Sequence, residues 1–179
     1  MLKGQSHPAA QVSKNMIAEA LIQLIDEGGY HPVTITALCE RAQIARRTFY
    51  RNFYTVEDVL RFISKQTIEA FIREMQLHKR EPYFEILVAY FSFWIEHADR
   101  FALFAGNNLT HILFEGYIQS LVQIPFLLGS VSENSDSNGI LQAFTAGGLW
   151  SVLMYRFATA NPTSPEELAR LLSGSVIAR

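Results

Sequence analysis

Apolar residues recur at helical spacing along most of the chain. Over residues 12–27, VSKNMIAEALIQLIDE places Ile17, Ala20, Leu21, Leu24 and Ile25 on one face. Ser13 stands where an N-cap is expected, and Gly28-Gly29 ends this first helix. Thr34 then caps a short second helix, ITALCERA, whose Ile35, Leu38, Cys39 and Ala42 share a face. A break at Gln43-Ile44 precedes a third short helix over about Ala45 to Asn52. Thr55 caps a long fourth helix reaching about His78, with Glu57 and Asp58 placed at the positive end of its dipole. Its apolar face carries Val59, Phe62, Ile63, Ile68, Phe71, Ile72 and Met75.

Beyond Glu81-Pro82 the pattern changes. YFEILVAYFSFWIEHA is apolar on most sides, which predicts a buried helix. Leu109 to Leu127 is a further helix with Pro125 near its end, and GSVSENSDSNG, residues 129–139, reads as a mobile loop. ILQAFTAGGLWSVLMYRFA predicts another apolar helix, containing the Gly147-Gly148 pair. After a break from Asn161 to Pro165, Ser164 caps a last helix with Pro165 at its first position and Glu166-Glu167 following. No segment alternates as a strand does, and no long repeat is present. The expected fold class is all-α, with about nine helices.

Composition narrows the function. Of 179 residues, 49% are hydrophobic and 18% charged, enough for a sizeable core. Cys39 is the single cysteine, so an intrachain disulfide is excluded and a cysteine-based zinc site is not expected. It reads as a small buried hydrophobe of the second helix. The start, MLKGQSHPAAQVSK, has no apolar h-region, and apolar runs break well before the roughly 20 residues of a membrane span. A cytoplasmic protein with no membrane partner is expected. The net charge of −2 is uneven: residues 1–80 hold 11 Lys/Arg against 8 Asp/Glu, and residues 81–179 hold 4 against 9. The front half is therefore the one suited to nucleic acid. No nucleophile–base pair, phosphate loop or metal cluster stands out, so neither an enzyme nor a cofactor or metal is expected.

Within that front half, ARRTFYRNFYT interleaves Arg46, Arg47 and Arg51 with Phe49, Tyr50 and Phe53. Phe49 and Phe53 are i,i+4 partners and are expected to pin the third helix on helices 1 and 4. The arginines are then left outside, either as a solvated face or as contacts to phosphates and guanine edges. Two short helices joined by a tight turn, flanked by one helix and a long successor, match a helix-turn-helix.

These residues resemble the tetracycline-repressor (TetR) family of bacterial transcriptional regulators. The family signature, roughly T-x-x-x-I-A-x-x-A-G-V-S-x-x-T-x-Y-x-H-F-x-x-K-E-x-L, stands here as TITALCERAQIARRTFYRNFYTVEDVL. Thr34, Glu40, Arg41, Ala42, Thr48, Tyr50, Phe53, Glu57 and Leu60 fall in register. The close match covers about residues 10–62. The resemblance implies a three-helix DNA-binding head, residues 1–54, and an effector-binding and dimerisation domain, residues 55–179. It implies a ligand-responsive repressor that binds double-stranded DNA as a homodimer on a palindromic operator.

Roles follow by position. Thr34 and Thr36 would meet phosphate at the start of helix 2. Ala45, Arg46 and Arg47 would face base edges, and Thr48 and Tyr50 would touch phosphate or a thymine methyl. Arg51 and Asn52 would flank the groove, and Thr55 would hold a phosphate at the start of helix 4. Gln43 replaces the usual turn glycine, at about 1 kcal/mol if the turn is left-handed. Ala45 replaces a capping serine, Asn52 a histidine, and Val56 a lysine that would contact phosphate. Those losses motivate an alternative, a TetR-like coregulator that binds protein and does not itself read DNA.

In the family the region 83–127 encloses an effector, and here it is crowded with aromatics, most of them expected to be core. Phe91, Trp94, Phe104, His111 and Tyr117 are the candidate pocket residues, and a small, apolar, neutral effector is the expected ligand. His111 and Glu115 are i,i+4, but two ligands are too few for a metal site. The last two helices, about 138–160 and 164–178, would pair with their copies in a dimer, with Gly147, Gly148, Trp150, Leu168 and Leu171 at the interface. The other reading of that glycine pair is an ordinary helix packed within one subunit.

Overall fold

The computed structural model describes residues 8–31, 33–128, 135–159 and 162–174. Among them, all regular structure is helical, in nine α-helices and two 3-10 turns.

The first helix, α1 (Pro8–Gly28), begins earlier than its apolar face suggested. Ser13 therefore lies inside α1 and not at its start, while proline suits a first helical turn. Helix α2 (Ile35–Arg41) is capped by Thr34, whose Oγ1 accepts from the Ala37 N–H at 3.1 Å. Gln43 follows in the left-handed region, at φ 53°. Its N–H donates to the Glu40 carbonyl (3.1 Å) and the Ile44 N–H to the Cys39 carbonyl (2.9 Å), the paired bonds that close a helix end around a left-handed residue. Helix α3 (Arg46–Asn52) leaves from Ala45, which offers no side-chain cap. Ile17, Leu21, Leu38 and Phe49, all fully buried, knit α1, α2 and α3 together, and Phe53 packs its ring against Phe62 at 5.6 Å.

Phe62 belongs to α4 (Val56–Leu77), which runs from the three-helix head into the rest of the molecule. There α4 packs against α5 (Tyr83–Glu96) and α7 (Thr110–Ser120). Between them lies α6 (Ala98–Ala105), to which the periodicity assigned no element. His97 makes the break: its Nδ1 pairs with the Phe93 carbonyl at 2.8 Å and its ring stacks on Phe93 at 4.2 Å. The single helix expected over 109–127 ends at Ser120, whose hydroxyl donates to the Tyr117 carbonyl (2.7 Å). Two 3-10 turns, Leu121–Gln123 and Pro125–Leu128, carry the chain on. Of the loop expected over 129–139, residues 129–134 lie outside the described residues, and Ser135 to Gly139 are the first turns of α8 (Ser135–Ala158). Finally α9 (Pro165–Ser173), capped by the Ser164 hydroxyl, packs along α5. Among the described residues, no helix is long and apolar enough to cross a membrane.

Candidate nucleic-acid interface and effector cleft

On α3 the two kinds of residue in ARRTFYRNFYT separate. Phe49 turns inward and is fully buried, while Arg46, Arg47, Tyr50 and Arg51 are exposed. Thr34, Thr36, Ala45 and Thr55 are exposed beside them, and Thr48 and Asn52 are half-buried. Among the described residues no carboxylate pairs with Arg46, Arg47 or Arg51. Arg41, by contrast, is neutralised by Glu27 through two bonds of 2.6 and 2.8 Å, and its guanidinium holds the Glu27 carboxyl below its usual range. Arg46 alone of the three is tied to another helix, donating to the Thr36 hydroxyl on α2. The Asn52 amide donates to the Thr48 carbonyl at 2.8 Å, so it stiffens the end of α3.

At the start of α4, Thr55 Oγ1 accepts from the Asp58 N–H (3.1 Å), and the Asp58 carboxylate accepts from the N–H groups of Thr55 (2.8 Å) and Tyr54 (3.0 Å). This reciprocal box firmly starts the helix. Donation by Thr55, above all, keeps the Asp58 carboxyl ionised below its ordinary range. An anion there would meet the Thr55 hydroxyl, since those two N–H groups are already taken. Tyr54, 81% exposed, stands next to this corner and was not singled out in the sequence. Its signal was an aromatic between an inward phenylalanine and a helix cap, a place with no core to fill.

The body of the molecule holds a core of rings. Phe71 of α4 meets Tyr90 (5.7 Å), Phe93 (5.3 Å), Trp94 (5.3 Å) and Tyr117 (6.1 Å), and Trp150 of α8 stacks on Tyr117 at 5.2 Å. Of the five candidate pocket residues, Phe91, Trp94, Phe104 and Tyr117 are buried in this region. His111 is exposed on the outer side of α7 and does not join them. Tyr83 Oη, Tyr90 Oη and Trp94 Nε1 are buried without a hydrogen-bond partner. An orphaned donor of this kind costs about 1–3 kcal/mol. Burial pushes the Tyr90 and Tyr117 phenols far up, so both stay protonated. Alongside this core, a cleft of about 670 Å³ opens between α7, the 3-10 turns and α8. Ile118, Leu121, Val122, Leu128 and Ala143 form its walls, and among the described residues Gln142 is its only polar side chain and no charged residue lines it. A second groove, about 350 Å³, runs between α4 and α7 under a polar rim. Arg61 crosses it, donating to Glu57 (2.9 Å) on its own helix and to Glu115 (3.0 Å) on α7.

Residues 17–63, which hold the arginine-bearing helix and its supports, match the family model for bacterial regulatory proteins of the tetR family. Over that stretch, the helix-turn-helix and its flanking helices, the chain is similar to the tetR family. Solved structures agree on the architecture. The fatty acid degradation regulator FadR from Bacillus halodurans is 19% identical with a TM-score of 0.68, over 97% of each chain. The transcriptional regulator FadR from Bacillus subtilis, solved in complex with stearoyl-CoA, is 20% identical with a TM-score of 0.62, over 88% of this chain and 94% of that one. The dihydroxyacetone kinase operon activator DhaS is 19% identical with a TM-score of 0.62, over 94% and 96%. At such identities the likeness is one of fold. No curated protein matches the chain.

The residues expected at a dimer interface divide. Trp150 and Leu168 are buried in the chain's own core, Trp150 against Trp94 (6.1 Å) and Phe101 (5.5 Å), and so present little surface to a second copy. Gly147 and Gly148 are half-buried, and Leu171 is exposed. The apolar stripe that α8 leaves uncovered is instead Ile140, Phe144 and Tyr155, at 74%, 61% and 64% exposure. Their spacing, i, i+4 and i+15, keeps them on one side of the helix.

Proposed function

We propose that this chain is a ligand-responsive repressor that works in the cytoplasm as a homodimer on a palindromic operator. The observation that carries the reading is the outward, unpaired set of Arg46, Arg47 and Arg51 on a helix pinned from behind by Phe49. Residues 1–54 would act as the reading head and residues 55–179 as the effector and dimerisation unit. Two heads related by a two-fold axis would reach half-sites about 34–36 Å apart. A small apolar molecule would enter the uncharged cleft beside α7. Because α7 is clasped to α4 by Arg61 and Glu115, movement of α7 would turn α4 and draw the heads out of register. The stearoyl-CoA bound by the Bacillus subtilis FadR, with its long apolar acyl chain, supports room for an apolar group in this fold.

The test is fluorescence anisotropy on the DNA flanking the protein's own gene, and on selected genomic fragments, at several salt concentrations. Specific binding that falls at least about tenfold in the Arg46→Ala/Arg47→Ala variant is expected, from the loss of base-edge contacts worth about 1–3 kcal/mol each. The salt slope should also drop by about one per phosphate contact removed. A second reading, a protein-binding coregulator, draws on the Asp58 carboxylate that occupies two N–H groups at the start of α4. Binding no tighter than to unrelated DNA, and unchanged in the variant, would turn the assignment to that reading.

A further inference from the structure

We propose that the effector cleft has a hydrogen-bonding inner end, made by Tyr90 and Trp94, that selects a neutral apolar molecule carrying a carbonyl group. This rests on the reading of the cleft as the effector site. Tyr83, Tyr90 and Trp94 all belong to α5, at i, i+7 and i+11, and so lie along one side of it. Each has a buried donor atom with no acceptor, and the Tyr90 and Trp94 side chains are fully enclosed. Folded proteins leave few buried polar groups unpaired, so two such donors on successive turns call for an explanation.

One layer of side chains separates them from the cleft. Tyr117 meets the Tyr90 ring at 6.3 Å and the Phe114 ring at 6.2 Å, and Phe114 lines the cleft. The Tyr117 hydroxyl donates to the carbonyl of Ala146, another cleft residue, over a long 3.4 Å. A ligand that displaces this weak bond opens the way inward. The groups it would meet are donors, so its complement is an acceptor. A carboxylate accepts as well, but it would be buried with no cation to offset its charge, since among the described residues no Lys, Arg or His lines the cleft. An alcohol brings a donor of its own, which needs an acceptor in turn. A carbonyl brings two lone pairs and no donor, and so leaves no group orphaned.

Both tryptophans of the chain, Trp94 and Trp150, stand in this cluster, so their fluorescence reports the site directly. The full-length protein is titrated with 2-dodecanone, n-dodecane and dodecanoate, all below their aggregation limits, with equilibrium dialysis as the second readout. The ketone should bind about tenfold more tightly than the alkane, the gain from one to two hydrogen bonds. Dodecanoate should bind no better than the alkane. Tyr90→Phe should lower ketone affinity about fivefold to tenfold, leave alkane affinity unchanged and leave the melting temperature no lower, because it removes an unpaired hydroxyl without changing volume. Trp94→Phe, read through Trp150, should act the same way. Equal binding of ketone and alkane, or variants that weaken both alike, would overturn the donor assignment while leaving the cleft as an apolar site. Tightest binding of dodecanoate would overturn the neutral class. Retention of none of the three would remove the effector reading of the cleft, and this inference with it.

Discussion

At Gln43 the backbone stands at φ 53°, where a side chain with a Cβ is strained by about 1–2 kcal/mol. The turn keeps this geometry because two backbone bonds, from Gln43 and Ile44 back to Glu40 and Cys39, close the end of α2 and aim the chain into α3. Glycine at that position would satisfy the same bonds without the crowding, though its unfolded chain has more freedom to lose. Gln43→Gly should therefore raise stability by about 0.5–1 kcal/mol in urea unfolding, with DNA affinity unchanged. A lower midpoint would show that the exposed Gln43 side chain contributes something beyond its backbone. Arg46, by comparison, gains order from its neighbour: the Thr36 hydroxyl fixes its guanidinium, whereas Arg47 is exposed and free of carboxylates. Two arginines adjacent in sequence are thus unequal, one held by a neighbouring helix and one left exposed without such a tie.

At the scale of elements, α4 is the part whose placement matters most, since it runs from the three-helix head to α7, which walls the cleft. Gly116 of α7 lets it approach closely: a Cβ there would stand 3.1 Å from Ile68 Cγ1 and 3.3 Å from Ser64 Oγ, both on α4. Gly116→Leu should force the helices apart, lower stability by about 1–3 kcal/mol and weaken operator binding beyond what partial unfolding explains. Circular dichroism melting, paired with anisotropy at a temperature where the variant is folded, separates the two effects. At its far end α4 is closed by His78, whose ring meets Glu81 at 2.9 Å and Glu74 at 3.4 Å. Hydrogen bonding to Glu81 first, and to Glu74, raises the His78 pKa above its ordinary 6.5. Since the folded value is the higher one, the stabilisation is complete below about pH 6.5 and is lost as pH rises through the raised value. The stability gap between wild type and His78→Gln, measured by urea unfolding, should be widest near pH 6 and shrink by pH 8; a gap that does not vary with pH would refute the charged pair. The caps at Thr34, Thr55 and Ser164 were readable from sequence because each is a side chain bonding to backbone three residues on, a contact that distance along the chain enforces. Ser13 misled for the same reason: capping chemistry at a residue does not say that a helix starts there. The division of α5 from α6 was unreadable, since it rests on the His97 ring folding back on Phe93, with neither glycine nor proline to announce it.

At the scale of the whole molecule, the question is which side of α8 meets a second copy. That helix is apolar almost all round, so its period separates inner from outer face poorly, and Trp150, the residue that draws the eye, turned out to fill the chain's own ring cluster. The exposed stripe of Ile140, Phe144 and Tyr155, with Leu171 of α9 also uncovered, is what an isolated chain would hold against water at a loss. Burying side chains of this size contributes about 1.5–3 kcal/mol each, so three or four per copy, doubled by a two-fold axis, supply a substantial part of a stable association. A charge at the centre of the stripe reverses this, because it would be buried twice, facing its own image. Phe144→Asp should therefore convert a dimer to a monomer in sedimentation velocity while leaving the helical content intact. Trp150→Phe should leave the assembly state alone and disturb only the fluorescence and stability of the core. DNA binding should fall with Phe144→Asp far more than Trp150→Phe, since a single head loses the second half-site. Dimers that persist with Asp at 144 would move the interface off this face of α8 and leave the stripe for some other partner.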